Sequence, residues 1–192
     1  MRFICKDKSC GYIGVRALTF RKNARFQIKE GRLYHFSVGA VVFCQFREEA
    51  ERRILLLRRA THPVGVFTIP SDHWDLPDRR PLYGAKREVK EETGLTSLSS
   101  WHLESGRNQL LKEGCRRACD HHYWHFYSCV CSPQFAALRL RVDRKRKVIG
   151  ESDMIAWVPI SQVLRGRFRL TKPAGYFIGR MCHKRIKNTL KK

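Results

Sequence analysis

The sequence Arg-Glu-Val-Lys-Glu-Glu-Thr-Gly-Leu, residues 87–95, places three carboxylates on one short segment. An α-helix turns by about 100° per residue, so Glu88, Glu91 and Glu92 would share one face. Arg87 lies one turn before Glu91, at the spacing that allows the two side chains to pair. The segment therefore predicts a helix with an anionic edge that could hold one divalent ion, or two.

The residues around this segment predict where the helix begins and ends. Pro81 suits the first helical turn, and Gly94 suits the position just after the last turn. Between them Leu82, Ala85 and Val89 form an apolar stripe beside the acidic face. We therefore expect a short, half-buried helix.

These residues resemble the second half of the signature of the Nudix hydrolases, G-x5-E-x7-R-E-U-x-E-E-x-G-U, in which U is aliphatic. Every fixed position from Arg87 to Leu95 is filled. Upstream, Ser71 and Asp72 stand where the family usually has two glycines, and Asp78 stands in place of the early glutamate. The interval before Arg87 is one residue longer than the pattern. The signature is thus intact in its helix and degenerate in its loop.

The resemblance implies a loop-helix-loop that binds Mg2+ or Mn2+ and cleaves a nucleoside diphosphate linked to another moiety. Hard cations of this kind prefer carboxylate oxygen. By position the metal ligands would be Glu88, Glu91, Glu92 and Asp78. Catalytic roles would fall to Glu91, Glu92 and Arg87, with Glu91 either a ligand or a partner in activating water.

A further acidic position is indicated before a predicted strand that contains Trp157. In the family, a glutamate in such a loop is often a metal ligand or a general base. Glu151 has a compatible spacing and is the predicted catalytic residue, whereas Asp153 is an equally good candidate if the segment is a simple surface turn.

Three side chains are predicted to contact substrate. Arg58 and Arg59 end a short aliphatic run, where many family members face the cleft, and arginine suits bidentate phosphate contact. Trp74 could stack a base, as could Trp101 and Trp124, although a buried tryptophan is the commoner arrangement.

The length and the order of elements favour one α/β domain. Strands are expected at residues 36–46, 54–57, 123–130 and 154–159, with a brief helix from 161 to 164 and a last helix from about Pro173. The resemblance implies a Nudix-type α/β/α sandwich with a mixed β-sheet. We expect a basic N-terminal extension at 1–33, the domain core at 34–170, and a basic C-terminal helix at 171–192 packed on the domain.

The net charge of +22 is the second unusual feature, and no acidic residue follows Arg165. Such a field concentrates polyanions near the surface, so nucleic acid or a ribonucleoprotein is an expected partner. The alternative is a surface that only confers solubility. No stretch is apolar enough to cross a bilayer, so no membrane partner is expected.

Eight cysteines in a chain without an apolar signal segment indicate reduced thiols and a cytoplasmic location. The sequence also leaves a Zn2+ site open, because two groups of Cys and His residues would have to meet to supply four ligands. The first group is Cys5 and Cys10; the second is Cys115, Cys119, His121, His122 and His125.

The main functional hypothesis is a metal-dependent Nudix pyrophosphohydrolase acting on a nucleotide or a capped RNA end. The alternative is a catalytically weak Nudix-fold module that binds nucleic acid through its basic faces, which the degenerate loop favours and the three retained glutamates oppose. A remote third reading is an isopentenyl-diphosphate isomerase-like reaction, because fold alone does not settle chemistry.

Overall fold

The computed structural model describes residues 26–29, 32–61, 63–104, 109–112, 119, 121–136 and 152–189. Nine strands are present in this part of the chain: β1 Phe26–Lys29, β2 Arg32–Cys44, β3 Arg53–Arg59, β4 Phe67–Thr68, β5 Ser71–His73, β6 Leu98–Leu103, β7 Gln109–Lys112, β8 His121–Cys131 and β9 Ser152–Pro159. The helices are α1 Pro81–Thr93, α2 Ile160–Leu164 and α3 Lys172–Thr189. Residues 133–136 are also helical.

The sheet is mixed and is organised around the long strand β2. Strand β2 pairs in parallel with β8, from Tyr34 opposite His121 to Cys44 opposite Cys131. It pairs antiparallel with β1, β3 and β5. Strands β6 and β7 extend the sheet from β8, and β4 and β9 extend it from β3, all antiparallel. The predicted mixed sheet is confirmed.

Helices cover both faces of the sheet because alternate residues of each strand point to opposite sides. On one face Val41 of β2 belongs to a buried cluster with Phe177 and Ile178 of α3. On the other face the neighbouring residue of β2, Ala40, belongs to a buried cluster with Ala85 and Val89 of α1. The α/β/α sandwich follows, with the predicted apolar stripe of α1 turned to the sheet.

The long elements agree with the sequence expectations to within a few residues, whereas β4 to β7 were not predicted. These four strands contain between two and six residues, too few for a clear alternating pattern. Strand β1 and the start of β2 lie inside the range 1–33 that was predicted as an N-terminal extension. The two strands pair with each other, so this part of the range belongs to the sheet. Residues 1–25 of that extension lie outside the described residues. The predicted C-terminal helix is α3, whose Phe177, Ile178 and Met181 are buried.

Two general properties of the described residues concern membranes and cysteines. No helix in the described part of the chain is long and apolar enough to span a membrane. The five cysteines that the structure describes, Cys44, Cys119, Cys129, Cys131 and Cys182, are buried and form no disulfide.

Candidate functional site

Helix α1 carries the acidic residues, and its two ends are those that the sequence predicts. Pro81 occupies the first turn, and Gly94 follows the last with φ 69° and donates its N–H to Lys90 O at 2.7 Å. Ala85 and Val89 are fully buried against the sheet. The burial of these two residues sets the rotation of α1 about its own axis. As a result, Glu92 on the acidic face lies toward the loop that contains β5.

Arg87 is the centre of the acidic group. Its Nη1 donates to Glu91 Oε2 at 3.0 Å and to Glu88 Oε1, and its Nη2 donates to Asp78 Oδ2 at 2.9 Å. The same Nη2 donates to the main-chain oxygen of His73 at 3.3 Å. The predicted pairing of Arg87 with Glu91 is present, and one planar guanidinium orients three carboxylates at once.

Glu88 is the most buried of these carboxylates, with 3% of its surface exposed. The pKa of Glu88 is raised to about 9, mainly by burial and also by the negative charges of Asp72, Glu92 and Glu91, while the Arg87 charge opposes the rise. Burial and the neighbouring carboxylates thus disfavour the ionised form of Glu88 more than a single arginine can offset.

The loop before α1 brings further polar groups to this face. The main-chain N–H of Ser71 donates to Glu92 Oε2 at 2.9 Å. Asp72 is near enough to raise the pKa of Glu88 by its charge. The sequence identifies Asp72 only as a replacement for a signature glycine and does not predict that it joins the acidic group. The feature of the sequence that could have indicated this role is that Asp72 places a carboxylate where the signature usually has glycine.

Asp78 lies against Arg87, where it is 8% exposed. Arg87 Nε is 3.2 Å from each of its carboxylate oxygens, in addition to the Nη2 bond. Space for this carboxylate depends on Gly84, because a Cβ there would lie 3.1 Å from Asp78 Oδ2 and 3.2 Å from Val38 Cγ2. The glycine of α1 therefore permits the close approach of Asp78 to the helix.

Trp74 packs beside this pair. Its Nε1 donates to the main-chain oxygen of Asp78 at 2.7 Å, and its ring meets those of Phe36 and His125 edge to face, with centroids 6.1 and 5.5 Å away. Trp74 thus holds the loop that carries Asp78. Of the two other stacking candidates, Trp124 is buried against Phe177 of α3, and the ring of Trp101 lies 6.3 Å from that of Tyr127.

The two predicted substrate arginines lie at the end of β3. Arg58 pairs with Asp153 through two hydrogen bonds of 2.7 and 3.1 Å, which lower the pKa of Asp153. The register of β3 and β9 shifts at this point, so Asp153 lies in a bulge. Arg59 Nη2 donates to Thr61 Oγ1 at 3.4 Å. Glu151, the predicted base, lies outside the described residues.

Only part of the residue set predicted for zinc comes together in the described part of the chain. Cys119 Sγ is 3.3 Å from His122 Nε2. His121 and His125 lie on the opposite face of β8 from His122, since alternate residues of a strand point to opposite sides. Cys5, Cys10 and Cys115 lie outside the described residues.

Comparison with known proteins defines the class. The NUDIX domain family matches residues 33–178, about three-quarters of the chain, and the chain belongs to that family. No match was found among curated protein sequences.

Three solved structures illustrate the likeness of fold. The NUDIX domain of Shewanella oneidensis NrtR complexed with ADP ribose has a TM-score of 0.57 and 18% identity over 78% of this chain and 86% of that one. NrtR from the same organism complexed with a 27mer DNA has a TM-score of 0.52 and 18% identity over 76% of this chain and 59% of that one. A C. elegans Ap4A hydrolase binary complex has a TM-score of 0.55 and 14% identity over 79% and 97%.

Proposed function

We propose that this chain is a metal-dependent Nudix pyrophosphohydrolase that cleaves a nucleoside diphosphate linked to another moiety. The observation that carries the proposal is the arrangement around Arg87, which orients Glu88 and Glu91 on one face of α1. Glu92 completes the face and is fixed by the N–H of Ser71. A helix needed only for packing has no physical reason to gather these charges, because each carboxylate destabilises its neighbours.

The donor set fits Mg2+ or Mn2+. Glu88, Glu91 and Glu92 offer only oxygen, the ligand type that these ions prefer, and Asp72 adds a fourth carboxylate nearby. The contacts of Asp78 favour a positioning role through Arg87 over the ligand role expected from the sequence. When bound, a divalent ion would neutralise diphosphate charge and lower the pKa of a water molecule.

The chain's own residues would then position the reactants and move one proton. A water oxygen attacks one phosphorus of the diphosphate while the bond from that phosphorus to the bridging oxygen breaks. The water proton passes to a carboxylate, for which we propose Glu92 or Glu91, and the leaving phosphate departs with the bridging oxygen. Glu151, which directly precedes β9 in the sequence, remains the proposed alternative base.

The substrate is proposed to be a nucleotide or a capped RNA end. One structural neighbour is complexed with ADP ribose and another is an Ap4A hydrolase, so nucleoside diphosphate and polyphosphate esters are the first candidates. The net charge of +22 favours a polyanionic substrate among them. Arg58, Arg59 and Trp74 stay proposed substrate contacts; Arg58 would have to exchange Asp153 for phosphate.

The test is product release from nucleoside triphosphates, dinucleotides, sugar nucleotides and capped RNA with Mg2+ or Mn2+. Glu92→Gln should lower turnover by about a hundredfold or more, the usual scale for a lost acid-base group. The matched control is Glu48→Gln, an exposed glutamate between β2 and β3, which should retain full activity. Equal turnover in both folded variants would exclude the role given to Glu92.

A second candidate function is nucleic-acid binding without efficient catalysis. It is favoured by the net charge of +22 and by the NrtR neighbour complexed with DNA. Affinity for a single-stranded RNA or a DNA duplex should then fall steeply with salt. In a plot of log K against log salt concentration, each phosphate contacted should add a slope of about −0.7 for the single strand and about −0.9 for the duplex. Glu92→Gln should leave the nucleic-acid affinity unchanged. An affinity that does not change with salt concentration would rule out a contact dominated by phosphate.

A further inference from the structure

A second group of metal-binding side chains lies on the α3 face of the sheet, opposite α1, and is joined to the acidic site through the contact of His73 with Asp72. His35 of β2, His73 of β5 and His122 of β8 each place a ring nitrogen within 4.8 Å of the other two. Cys119, just before β8, places its Sγ 3.0 Å from His35 Nδ1 and 3.3 Å from His122 Nε2. Three imidazole nitrogens therefore lie within reach of one ion, and the Cys119 sulfur contacts two of the same rings.

The sheet register produces this group. His35 lies opposite His122 in the parallel pairing of β2 and β8, and Ser37 lies opposite His73 in the antiparallel pairing of β2 and β5. Residues 35 and 37 point to the same side of β2 because they are two positions apart. The three histidines therefore meet on one face, although they are distant in sequence and form no recognisable motif.

The group is enclosed by protein. His35 is 0%, His122 4%, Cys119 5% and His73 9% exposed. Two of the rings also hold outer hydrogen bonds through the nitrogen that would not face an ion. His122 Nδ1 is 2.8 Å from Ser37 Oγ, and His73 Nδ1 is 2.6 Å from Asp72 Oδ1. Metal-bound histidines almost always hold their second ring nitrogen in this way.

We propose that His35, His73, His122 and Cys119 bind a structural Zn2+ ion. Thiolate and imidazole favour zinc over magnesium or manganese, and a closed structural site has four ligands. In a tetrahedral zinc site neighbouring donors are separated by about 3.3–3.7 Å, from bonds of about 2.1 Å to nitrogen and 2.3 Å to sulfur. The S···N distances of 3.0 and 3.3 Å are shorter than the about 3.6 Å expected between a sulfur and a nitrogen on one tetrahedral ion, so both would lengthen on binding. Binding releases the Cys119 proton to solvent.

This site would brace the loop that faces the acidic group. A ligand on β5 ties that short strand to β2 and β8, and β5 also carries the Ser71 N–H that holds Glu92. Asp72 would serve as the outer partner of His73, which gives a structural reason for a carboxylate at a signature position where the family usually has glycine. The zinc site stands on its own geometry and does not depend on the proposed hydrolase activity.

The test is metal content and cobalt spectroscopy of the full chain. Protein purified without chelator should hold one zinc ion, measured by mass spectrometry. Protein reconstituted with Co2+ should show the intense visible bands of a tetrahedral ion and a near-ultraviolet sulfur-to-cobalt charge-transfer band. Cys119→Ser should lose the charge-transfer band, and His122→Ala should lose the tetrahedral spectrum.

The controls separate this site from other donors. Cys182→Ser, a buried cysteine on α3, and His102→Asn, an exposed histidine on β6, should retain both bands. Glu92→Gln should keep the zinc while losing turnover, so the two proposals can fail separately. Should a variant not fold, the wild-type cobalt spectrum still decides. An octahedral spectrum without the sulfur band, or a sulfur band that disappears on Cys5→Ser and Cys10→Ser but survives Cys119→Ser, would overturn the proposal.

Discussion

Replacing Arg87 by lysine should destabilise the protein although the charge is kept. The guanidinium of Arg87 uses separate nitrogens for Asp78 and for Glu88 with Glu91. A lysine ammonium is a single point of charge and cannot reach both groups in this geometry. Arg87→Lys should therefore leave one buried carboxylate without its charged donor.

The magnitude follows from the exposure of the partners. Asp78 and Glu88 are 8% and 3% exposed, so losing a charged hydrogen bond to either should cost about 1.5–3 kcal/mol. Glu91, whose side chain is 58% exposed, should add little because solvent screens it. We expect a loss of about 2 kcal/mol in the free energy of unfolding.

Urea denaturation measures this loss directly. With a slope of about 2 kcal/mol per molar urea, the midpoint should fall by about 1 M at unchanged slope. Arg58→Lys is the matched control, because its two-bond pair with Asp153 has side chains that are 37% and 44% exposed, and its midpoint should move much less. If both variants shifted equally, or Arg87→Lys not at all, the assignment of Arg87 as the shared donor of buried carboxylates would be wrong.

Two further predictions concern packing. Gly84→Ala should destabilise the protein by about 1 kcal/mol, because crowding of the new Cβ against Asp78 outweighs the better helix propensity of alanine. Gly179→Ala on α3 should instead stabilise the protein by about 0.5–1 kcal/mol, because a Cβ there meets nothing within 4 Å. Thermal unfolding of both variants checks the opposite signs, and stabilisation in both would contradict the close approach. Phe177→Ala should lower the free energy of unfolding by about 3–5 kcal/mol, since Phe177 is 1% exposed and its ring centroid lies 3.7 Å from that of Phe126. A loss below about 1 kcal/mol, measured by urea denaturation, would show that α3 does not anchor the core.

Local features were predictable from the sequence because their geometry repeats within a few residues. The shared face of Glu88 and Glu91 and the pairing of Arg87 with Glu91 follow from the pitch of one helix, and the end of α1 at Gly94 follows from the positive φ that glycine tolerates. The mixed sheet and the layered fold were also expected, through the resemblance of residues 87–95 to the Nudix signature, and the family match supports both.

The roles of the loop residues were not predictable, because they depend on how the loop folds back on α1. The sequence suggested that Asp78 is a metal ligand, and it gave no indication that Arg87 Nη2 lies 2.9 Å from the Asp78 carboxylate. Asp72 looked like a defect in the signature, yet its charge acts on Glu88 while its oxygen contacts His73. No spacing rule within the chain gives either contact.

The sequence by itself determined the acidic helix, its apolar stripe and the net charge of +22, since these depend on neighbouring residues or on composition. Only the tertiary structure decided which side chains meet across the sheet. His35, His73 and His122 are brought together by the register of three strands that are far apart in sequence. Register is fixed by packing of the whole sheet between its helices, so a constellation of this kind emerges only when the chain is folded.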